Sequence, residues 1–180
     1  GCGPIEHVVE DACRLSDAVV FASPSERHRK DLRVCLDAVL GAAGVPVFYF
    51  PSGASPKIGQ HVSVAYDGST AAARSLKAAL PLLRKAGAIH ITGLRGVRKD
   101  PAQHVQDVRA YLALHGLTAV SETSFETPAA QNAIEAAKDR GSDLLVIGGY
   151  RQKSMREWFS GDAADQFLDS AKSMAVLTAH

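Results

Sequence analysis

The chain has 180 residues, of which 46% are hydrophobic and 22% are charged, a composition typical of a globular protein with a substantial core. Its 20 Lys and Arg residues and 19 Asp and Glu residues leave a formal net charge of +1, so no overall field favours nucleic acid or an anionic membrane as a partner. The longest apolar run, residues 38–50, contains Pro46 and falls short of the roughly 20 residues that a membrane span needs. We therefore expect a soluble protein that binds neither nucleic acid nor membrane.

The amino-terminal residues and the cysteines bear on localisation. No basic region precedes an apolar stretch in the first residues, so we expect no signal peptide there. The cysteines are Cys2, Cys13 and Cys35, an odd number close to one end, which is unlike the disulfide framework of a secreted protein. The sequence therefore predicts a cytoplasmic protein.

The first 56 residues are predicted to contain two strands, each preceded by a helix. Val19–Ser23 and Val45–Phe50 are short apolar runs without polar alternation, the pattern of strands that are buried on both faces. The turn-rich segment Pro51–Pro56 then separates these elements from the rest of the chain.

Strands and helices alternate regularly from His61 onward. The predicted strands His61–Tyr66, Ile89–Leu94 and Ala119–Ser121 alternate with helices over about Thr70–Ala86 and Ala102–His115. Each helix carries an apolar stripe at helical spacing, which suits packing on a sheet. This alternation predicts a parallel sheet with an α/β fold.

The last part of the chain completes the pattern. Thr127-Pro128 supplies a capping residue and a first-turn proline for a third helix, which Gly141 ends. The strand Leu144–Ile147, a helix over about residues 162–171 and the strand Ala175–Ala179 follow. Counted from His61, the sequence thus predicts five strands and four helices.

The amino-terminal segment repeats the end of this unit. Ser16–Phe21 matches Ser142–Ile147, and Val45–Val47 matches Met174–Val176. Residue 143 stands 126 positions after residue 17, and residue 176 stands 129 positions after residue 47, so the two copies differ little in length. Residues 1–56 are therefore predicted to form the second half of one module with a linker, and residues 57–180 a complete module.

A glycine-bearing turn follows the strand Leu144–Ile147. Gly148 and Gly149 come first, then Arg151, and Gly161 precedes Asp162 at the start of a predicted helix. Ligands of parallel sheets bind at the carboxyl ends of strands, where glycine lets backbone N–H groups approach phosphates and a helix N-terminus attracts anions. The layout indicates an α/β nucleotide site, with a plain strand–turn–helix connection as the alternative.

Four segments together resemble the universal stress protein family, and specifically the carboxyl-terminal two thirds of a tandem two-module member. They are Val64–Ser69, Ala79–Leu83, Tyr111–Gly116 and Asp143–Gly148. The resemblance covers residues 60–180 and, more loosely, residues 1–51. It implies a doubly wound sheet of strand order 3-2-1-4-5 and a role in stress physiology, often with bound ATP and often as dimers.

The glycine turn departs from the nucleotide-binding members of that family. They carry Gly, two residues, Gly, nine residues, Gly, and then Ser or Thr. Gly148 and Gly161 match the outer glycines, whereas Arg151 replaces the middle glycine and Asp162 replaces the Ser or Thr. The Arg151 side chain takes room that a phosphate needs, and a carboxylate at Asp162 satisfies the helix start and repels a phosphate. The resemblance therefore implies a degraded nucleotide site.

Asp67 has two interpretations. It matches the acidic residue that contacts the adenine end of the nucleotide in the binding relatives. In the sequence Asp-Gly-Ser it equally suits a turn and the start of a helix. The sequence is compatible with both interpretations.

Catalysis has little support in the sequence. The common nucleophile, metal-ligand and phosphate-loop motifs do not occur, so we expect no catalytic residue, no metal and no enzyme activity. The first hypothesis is a regulatory or interaction module in stress response that binds an unknown protein partner and no cofactor. The alternative is a stress protein that binds ATP or AMP, with Arg151 at the phosphates.

The repeat also predicts an assembly. Val45–Phe50 and Ala175–Ala179 are equivalent terminal strands, and the resembling family commonly dimerises through this strand. We expect the two to pair antiparallel as an intramolecular pseudo-dimer, with a homodimer through terminal strands as the alternative. Phe48, Phe50, Val176 and Leu177 would then lie at this junction. Val19–Ser23 would still lack neighbours, so we expect an upstream segment or a second copy of the chain to cover it.

Overall fold

The computed structural model describes residues 5–23, 34–36, 38–54, 57–96, 100–126, 130–148 and 174–180. Within these ranges the strands are β1 (Val19–Ala22), β2 (Val47–Phe50), β3 (His61–Tyr66), β4 (Ala88–Leu94), β5 (Ser121–Phe125), β6 (Leu144–Gly148) and β7 (Ala175–Ala179). The helices are α1 (Ile5–Cys13), α2 (Thr70–Leu83), α3 (Pro101–Leu114) and α4 (Ala130–Asp139), with a π-helical segment at Ala38–Ala43.

All of these strands belong to one sheet, in the order β1-β2-β7-β6-β3-β4-β5. Every neighbouring pair is parallel except β2 and β7, which are antiparallel. Counted from His61, the last five strands stand in the order 3-2-1-4-5, but the sheet continues past β7 into β2 and β1. The parallel five-stranded sheet of the prediction is thus part of a larger, mixed sheet of seven described strands, because β2 covers the apolar edge of β7.

The junction between β2 and β7 is the pairing that the repeat predicts. Phe48 lies opposite Leu177, and Tyr49 lies opposite Val176. Both strands are apolar, and the backbone groups at a sheet edge need partners when the flanking side chains are buried. Antiparallel pairing of the two terminal strands supplies these partners within one chain.

The strand register agrees with the sequence match between the two segments. In the first copy Val19 is paired with Val47, and in the second Leu145 is paired with Val176. Residue 145 stands 126 positions after residue 19, and residue 176 stands 129 positions after residue 47. These are the offsets of the sequence match, so β1–β2 and β6–β7 are equivalent strand pairs.

Helices cover both faces of the sheet and create two cores. On one face α2 and α3 pack on the strands through buried residues that include Leu76, Val105, Val108 and Leu112. On the other face α1, the π-helical segment and α4 pack on the strands, with a core that includes Cys13, Leu40, Ile134 and Leu145. None of the described helices is long and apolar enough to cross a membrane.

Most element boundaries agree with the sequence prediction. Helix α2 begins after Ser69, whose hydroxyl accepts a hydrogen bond from the Ala72 backbone N–H at 3.0 Å, and α3 begins after Asp100 in the same manner. Gly141, with φ +63°, follows the end of α4. The predicted opening of this helix at Thr127-Pro128 and the predicted helix at residues 162–171 lie outside the described residues.

Two strand predictions were wrong. The strand expected at Ala119–Ser121 begins only at Ser121 and ends at Phe125. It is the last strand of the sheet with partly exposed side chains, so its sequence is polar and gives no apolar signal. The strand β1 was expected to be buried on both faces, yet Val20 is 65% exposed. The sequence of β1 is that of a buried strand, but no described element covers the Val20 side chain.

Candidate functional site

The carboxyl ends of β3 and β6 form the switch point of the sheet. These two strands are neighbours in the sheet. The strand that follows β3 in the sequence, β4, lies on the side of β3 away from β6, and the strand that follows β6, β7, lies on the side of β6 away from β3. Ligands of open α/β sheets bind in the crevice at such a point. Asp67 directly follows β3 and Gly148 ends β6, so two of the sequence-predicted site residues flank this crevice.

Asp67 acts as a turn residue. Its Oδ1 atom accepts a hydrogen bond from the backbone N–H of Ser69 at 2.9 Å, and Ser69 in turn caps α2. A short side chain that binds the backbone two residues ahead is the usual stabiliser of such a turn. Asp67 thus stabilises the turn that leads to the Ser69 cap, and the adenine contact stays a prediction.

The loops after β3 and β4 pack closely around His104. Gly68 has φ +76°, and a Cβ atom there would lie 2.5 Å from His104 Nε2. A Cβ atom on Gly96 would collide with the backbone carbonyl oxygen of Asp67. Both glycines are thus needed for close approach, and the protein's own atoms fill the space beside Asp67.

His104 holds this edge together from α3. It is 2% exposed, and its Nδ1 atom lies 2.9 Å from the carbonyl oxygen of Leu94. Because a carbonyl only accepts, Nδ1 carries the proton in this bond. The ring also meets the Tyr66 ring edge-on, with 5.8 Å between the centroids. No motif in the sequence marks His104 as a site residue, although its position one helical turn before Val108 places it on the buried face of α3.

Gly148 has a packing reason to be glycine. A Cβ atom there would lie 2.5 Å from the backbone N and 2.7 Å from the Cα of Ala72. The end of β6 therefore touches the first turn of α2 directly. This contact requires glycine whether or not a phosphate binds nearby.

The other four predicted site residues lie outside the described residues. They are Gly149, Arg151, Gly161 and Asp162. The structure thus brings Asp67 and Gly148 together at the carboxyl ends of β3 and β6. The proposed effect of Arg151 and Asp162 on phosphate remains a prediction from the sequence.

A cleft of about 260 Å³ lies next to this edge, between α2 and α3. Its lining is mainly apolar, with one basic and one acidic residue: Tyr66, Ala73, Leu76, Lys77, Asp107, Val108 and Tyr111. Tyr66 belongs to both the cleft and the His104 contact. The cleft therefore adjoins the switch point on the face that α2 and α3 cover.

A polar cluster that was not predicted from the sequence lies on the opposite face of the sheet. Arg140, just after α4, donates hydrogen bonds to the hydroxyls of Thr92 at 2.9 Å and Thr123 at 2.5 Å. His90 Nδ1 lies 2.7 Å from the Ser121 hydroxyl. Burial lowers the pKa of both Arg140 and His90. The alternation of His90 and Thr92 with apolar residues in β4 was the available signal for this cluster.

No protein-family model and no curated protein matches the chain. A universal stress protein from Archaeoglobus fulgidus superposes with a TM-score of 0.68 at 19% identity, over 96% of this chain and 63% of that protein. This chain therefore spans less than two thirds of that relative's length.

Two structures from Pseudomonas aeruginosa superpose over a similar range. One is described as a universal stress protein and has a TM-score of 0.61 at 16% identity, over 97% of this chain and 68% of that one. The other, of unknown function, has a TM-score of 0.57 at 16% identity, over 98% and 68% of the two chains. The chain therefore has the α/β fold of universal stress proteins.

Proposed function

We propose that this chain is a non-enzymatic module of the universal stress protein type, with a regulatory or interaction role in stress response and no resident nucleotide. The observation that carries the proposal is the close approach of backbone segments at the switch point. The first turn of α2 lies against Gly148, and the loop at Gly96 lies against the Asp67 carbonyl. Backbone atoms thus occupy the space next to both residues, which limits the room for a nucleotide there.

The sequence of the glycine turn supports the same proposal. Arg151 stands where nucleotide-binding members have a glycine, and Asp162 stands where they have Ser or Thr. A carboxylate at the start of a helix accepts its free N–H groups and interacts favourably with the helix dipole. An anionic phosphate would compete with that carboxylate for the same donors.

One observation favours the alternative, a module that binds ATP or AMP. Asp67 and Gly148 flank the switch point, which is where such sheets bind nucleotides. In this alternative the Arg151 guanidinium would reach the phosphates as a cation, because arginine forms strong bidentate bonds to phosphate.

Nucleotide release and calorimetry distinguish the two functions. Purified protein is denatured, and the released small molecules are separated by chromatography. Mg-ATP and AMP are then titrated into the native protein. We expect no stoichiometric nucleotide and a Kd of about 1 mM or weaker, corresponding to about −4.1 kcal/mol. Binding near 1 µM, about −8.2 kcal/mol, would establish the alternative.

A double variant tests the reason for weak binding. Arg151→Gly combined with Asp162→Ser removes the bulky side chain and the carboxylate together. We expect this variant to bind Mg-ATP at least about tenfold more tightly, a difference of about 1.4 kcal/mol. Unchanged binding would show that these two residues are not what prevents it.

The proposal extends to assembly and location. We propose that the antiparallel junction of β2 and β7 makes the chain an intramolecular pseudo-dimer that interacts with an unidentified protein in the cytoplasm. Sedimentation analysis at several concentrations separates this from a homodimer through terminal strands. A pseudo-dimer predicts one molecular mass at all concentrations.

A further inference from the structure

A groove lies between β5 and α4, on the face of the sheet opposite the α2–α3 cleft. Strand β5 is the last strand of the sheet, and it forms one side of the groove while α4 forms the other. The groove encloses about 260 Å³. Pockets for drug-sized ligands measure about 300–1,000 Å³, so this groove suits a smaller molecule. Its lining includes Thr123, Phe125, Glu135, Ala136, Asp139 and Arg140.

Arg140 is fixed in this groove by two neutral partners. Its guanidinium donates hydrogen bonds to the hydroxyls of Thr92 at 2.9 Å and Thr123 at 2.5 Å. A guanidinium has five N–H donors; two are used here, so three remain without a partner among the described residues. The side chain is half-buried. A cation that has lost part of its hydration and keeps free donors is well suited to bind an anionic group.

Two carboxylates line the same groove without pairing with this guanidinium. Glu135 is exposed and accepts a hydrogen bond from the Gln131 side-chain amide at 3.0 Å. Asp139 is also exposed, and its negative charge acts to raise the pKa of Arg140. In the part of the chain that the structure describes, neither carboxylate forms an ion pair with Arg140. The groove therefore presents a cation and an anion that are close but not paired with each other.

This charge arrangement selects a ligand that carries both signs. An anion alone would be repelled by the two carboxylates, and a cation alone would be repelled by Arg140. A free α-amino acid has a carboxylate and an ammonium group on one carbon atom. Its carboxylate can accept bidentate hydrogen bonds from a guanidinium, and its ammonium group can donate to a neighbouring carboxylate such as Asp139.

The remaining lining determines which side chain fits. Phe125 stands two residues after Thr123, so both side chains lie on one face of β5. Phe125 is half-buried, and Ala136 of α4 is 8% exposed. These two residues supply apolar contact for a ligand side chain. The charge of Glu135 disfavours an acidic one.

We propose that the β5–α4 groove binds a free α-amino acid with a neutral, apolar side chain. Arg140 and Thr123 bind its carboxylate, Asp139 binds its ammonium group, and Phe125 and Ala136 contact its side chain. Because the groove lies on the face opposite the α2–α3 cleft, this site is independent of whether the switch point binds a nucleotide.

Leucine is the probe that tests the site. It is titrated into the 180-residue chain by calorimetry, and amide NMR spectra of the same protein locate the binding. We expect saturable binding with a Kd of about 1 mM or tighter. The amide signals of Thr123, Phe125 and Ala136 should be among those that shift.

Three further compounds test the need for both charges and for a neutral side chain. The first, 4-methylpentanoate, is leucine without its ammonium group, and 3-methylbutylamine is leucine without its carboxylate. Glutamate keeps both groups but has an acidic side chain. We expect each of the three to bind at least about tenfold more weakly than leucine, a loss of about 1.4 kcal/mol.

Variants of the groove assign the two charge contacts. Asp139→Asn changes an exposed side chain, and it should weaken leucine binding at least about tenfold without weakening that of 4-methylpentanoate. Thr123→Val should also weaken leucine binding, and Thr123→Ser, which keeps the hydroxyl, should restore it. Asp17→Asn is the matched control, because Asp17 is exposed beside β1 at the opposite end of the sheet. It should leave the affinity for leucine unchanged.

The opposite results would overturn the proposal. One is the absence of saturable shifts at Thr123, Phe125 and Ala136 with leucine at about 10 mM, tenfold above the expected Kd. Another is binding of 4-methylpentanoate or 3-methylbutylamine as tight as that of leucine, because the ligand would then need only one charge. A third is unchanged leucine affinity in both Asp139→Asn and Thr123→Val.

Discussion

Phe48 and Leu177 lie directly opposite each other at the antiparallel junction of β2 and β7, and they are also equivalent positions of the sequence repeat. On either side of this pair, Val47 pairs with Thr178 and Tyr49 pairs with Val176. Exchanging each residue for its equivalent in the repeat converts one of these pairs into the other. An approximate twofold axis therefore passes through the Phe48–Leu177 pair. Internal symmetry of this kind lets two terminal edges cover each other.

The first prediction concerns this junction. Phe48→Asp places a carboxylate in a half-buried apolar position next to Leu177. We expect the free energy of unfolding to fall by about 1.5–3 kcal/mol, the value of burying a large apolar side chain. Urea denaturation measures the change.

The control for Phe48→Asp is Leu114→Asp at the end of α3, where the side chain is 84% exposed. A surface change of this kind should stay within about 0.5 kcal/mol. Equal effects of the two substitutions would contradict a packing role for Phe48.

The second prediction concerns the Asp143 carboxylate, which lies between the amino-terminal ends of β3 and β6. Asp143→Ala removes the acceptor of three backbone N–H groups at Gly59, Gln60 and His61. The hydrogen bond of the Gly59 N–H is part-buried, and leaving such a donor without its partner costs about 1–3 kcal/mol, so the urea midpoint should fall clearly. Asp17→Ala in the same chain is the matched control, because it changes the equivalent residue at an exposed position. A loss at Asp17 as large as that at Asp143 would be inconsistent with this account.

The third prediction concerns Gly148. Gly148→Ala adds a Cβ atom 2.5 Å from the backbone N of Ala72, and overpacking against backbone typically costs about 1–3 kcal/mol. Gly87→Ala is the control, since the added Cβ would be 3.4 Å from the Gln60 carbonyl oxygen. We expect thermal unfolding to be lowered by the first substitution and nearly unchanged by the second. A tolerated alanine at 148 would show that the end of β6 is free to move away from α2.

The fourth prediction concerns pH. Burial lowers the pKa of His90 below its ordinary value of 6.5, and the positive charges of Arg140 and His61 act in the same direction. The folded protein therefore keeps His90 neutral while the unfolded chain takes up a proton below about pH 6.5. Stability should be fully present above pH 6.5 and should fall as the pH drops from there towards the folded pKa.

Urea midpoints between pH 5 and pH 8 measure this effect, whose slope for one group cannot exceed about 1.4 kcal/mol per pH unit. His90→Gln should flatten the decline, whereas His61→Gln, at an exposed position, should leave most of it. An unchanged decline in His90→Gln would assign the pH dependence to other groups.

The sequence by itself determined the elements with strong local patterns. His61–Tyr66 and Ala175–Ala179 were predicted with their observed bounds, because strands buried on both faces are mostly apolar along their length. The internal repeat predicted that β2 and β7 would pair. Local side-chain chemistry likewise predicted a turn at Asp67, because its carboxylate binds the backbone only two residues ahead.

Tertiary structure alone decided the features that depend on neighbours from elsewhere in the chain. The apolar strands β1 and β6 are equivalent, yet Val20 is 65% exposed and Val146 is 1% exposed, because α2 and β3 reach only the second of them. Gly148 suggested room for phosphate, whereas the structure places the backbone of Ala72 against it. The sequence limits the environments that a residue can occupy. Its burial and its close contacts depend on the elements that pack against it.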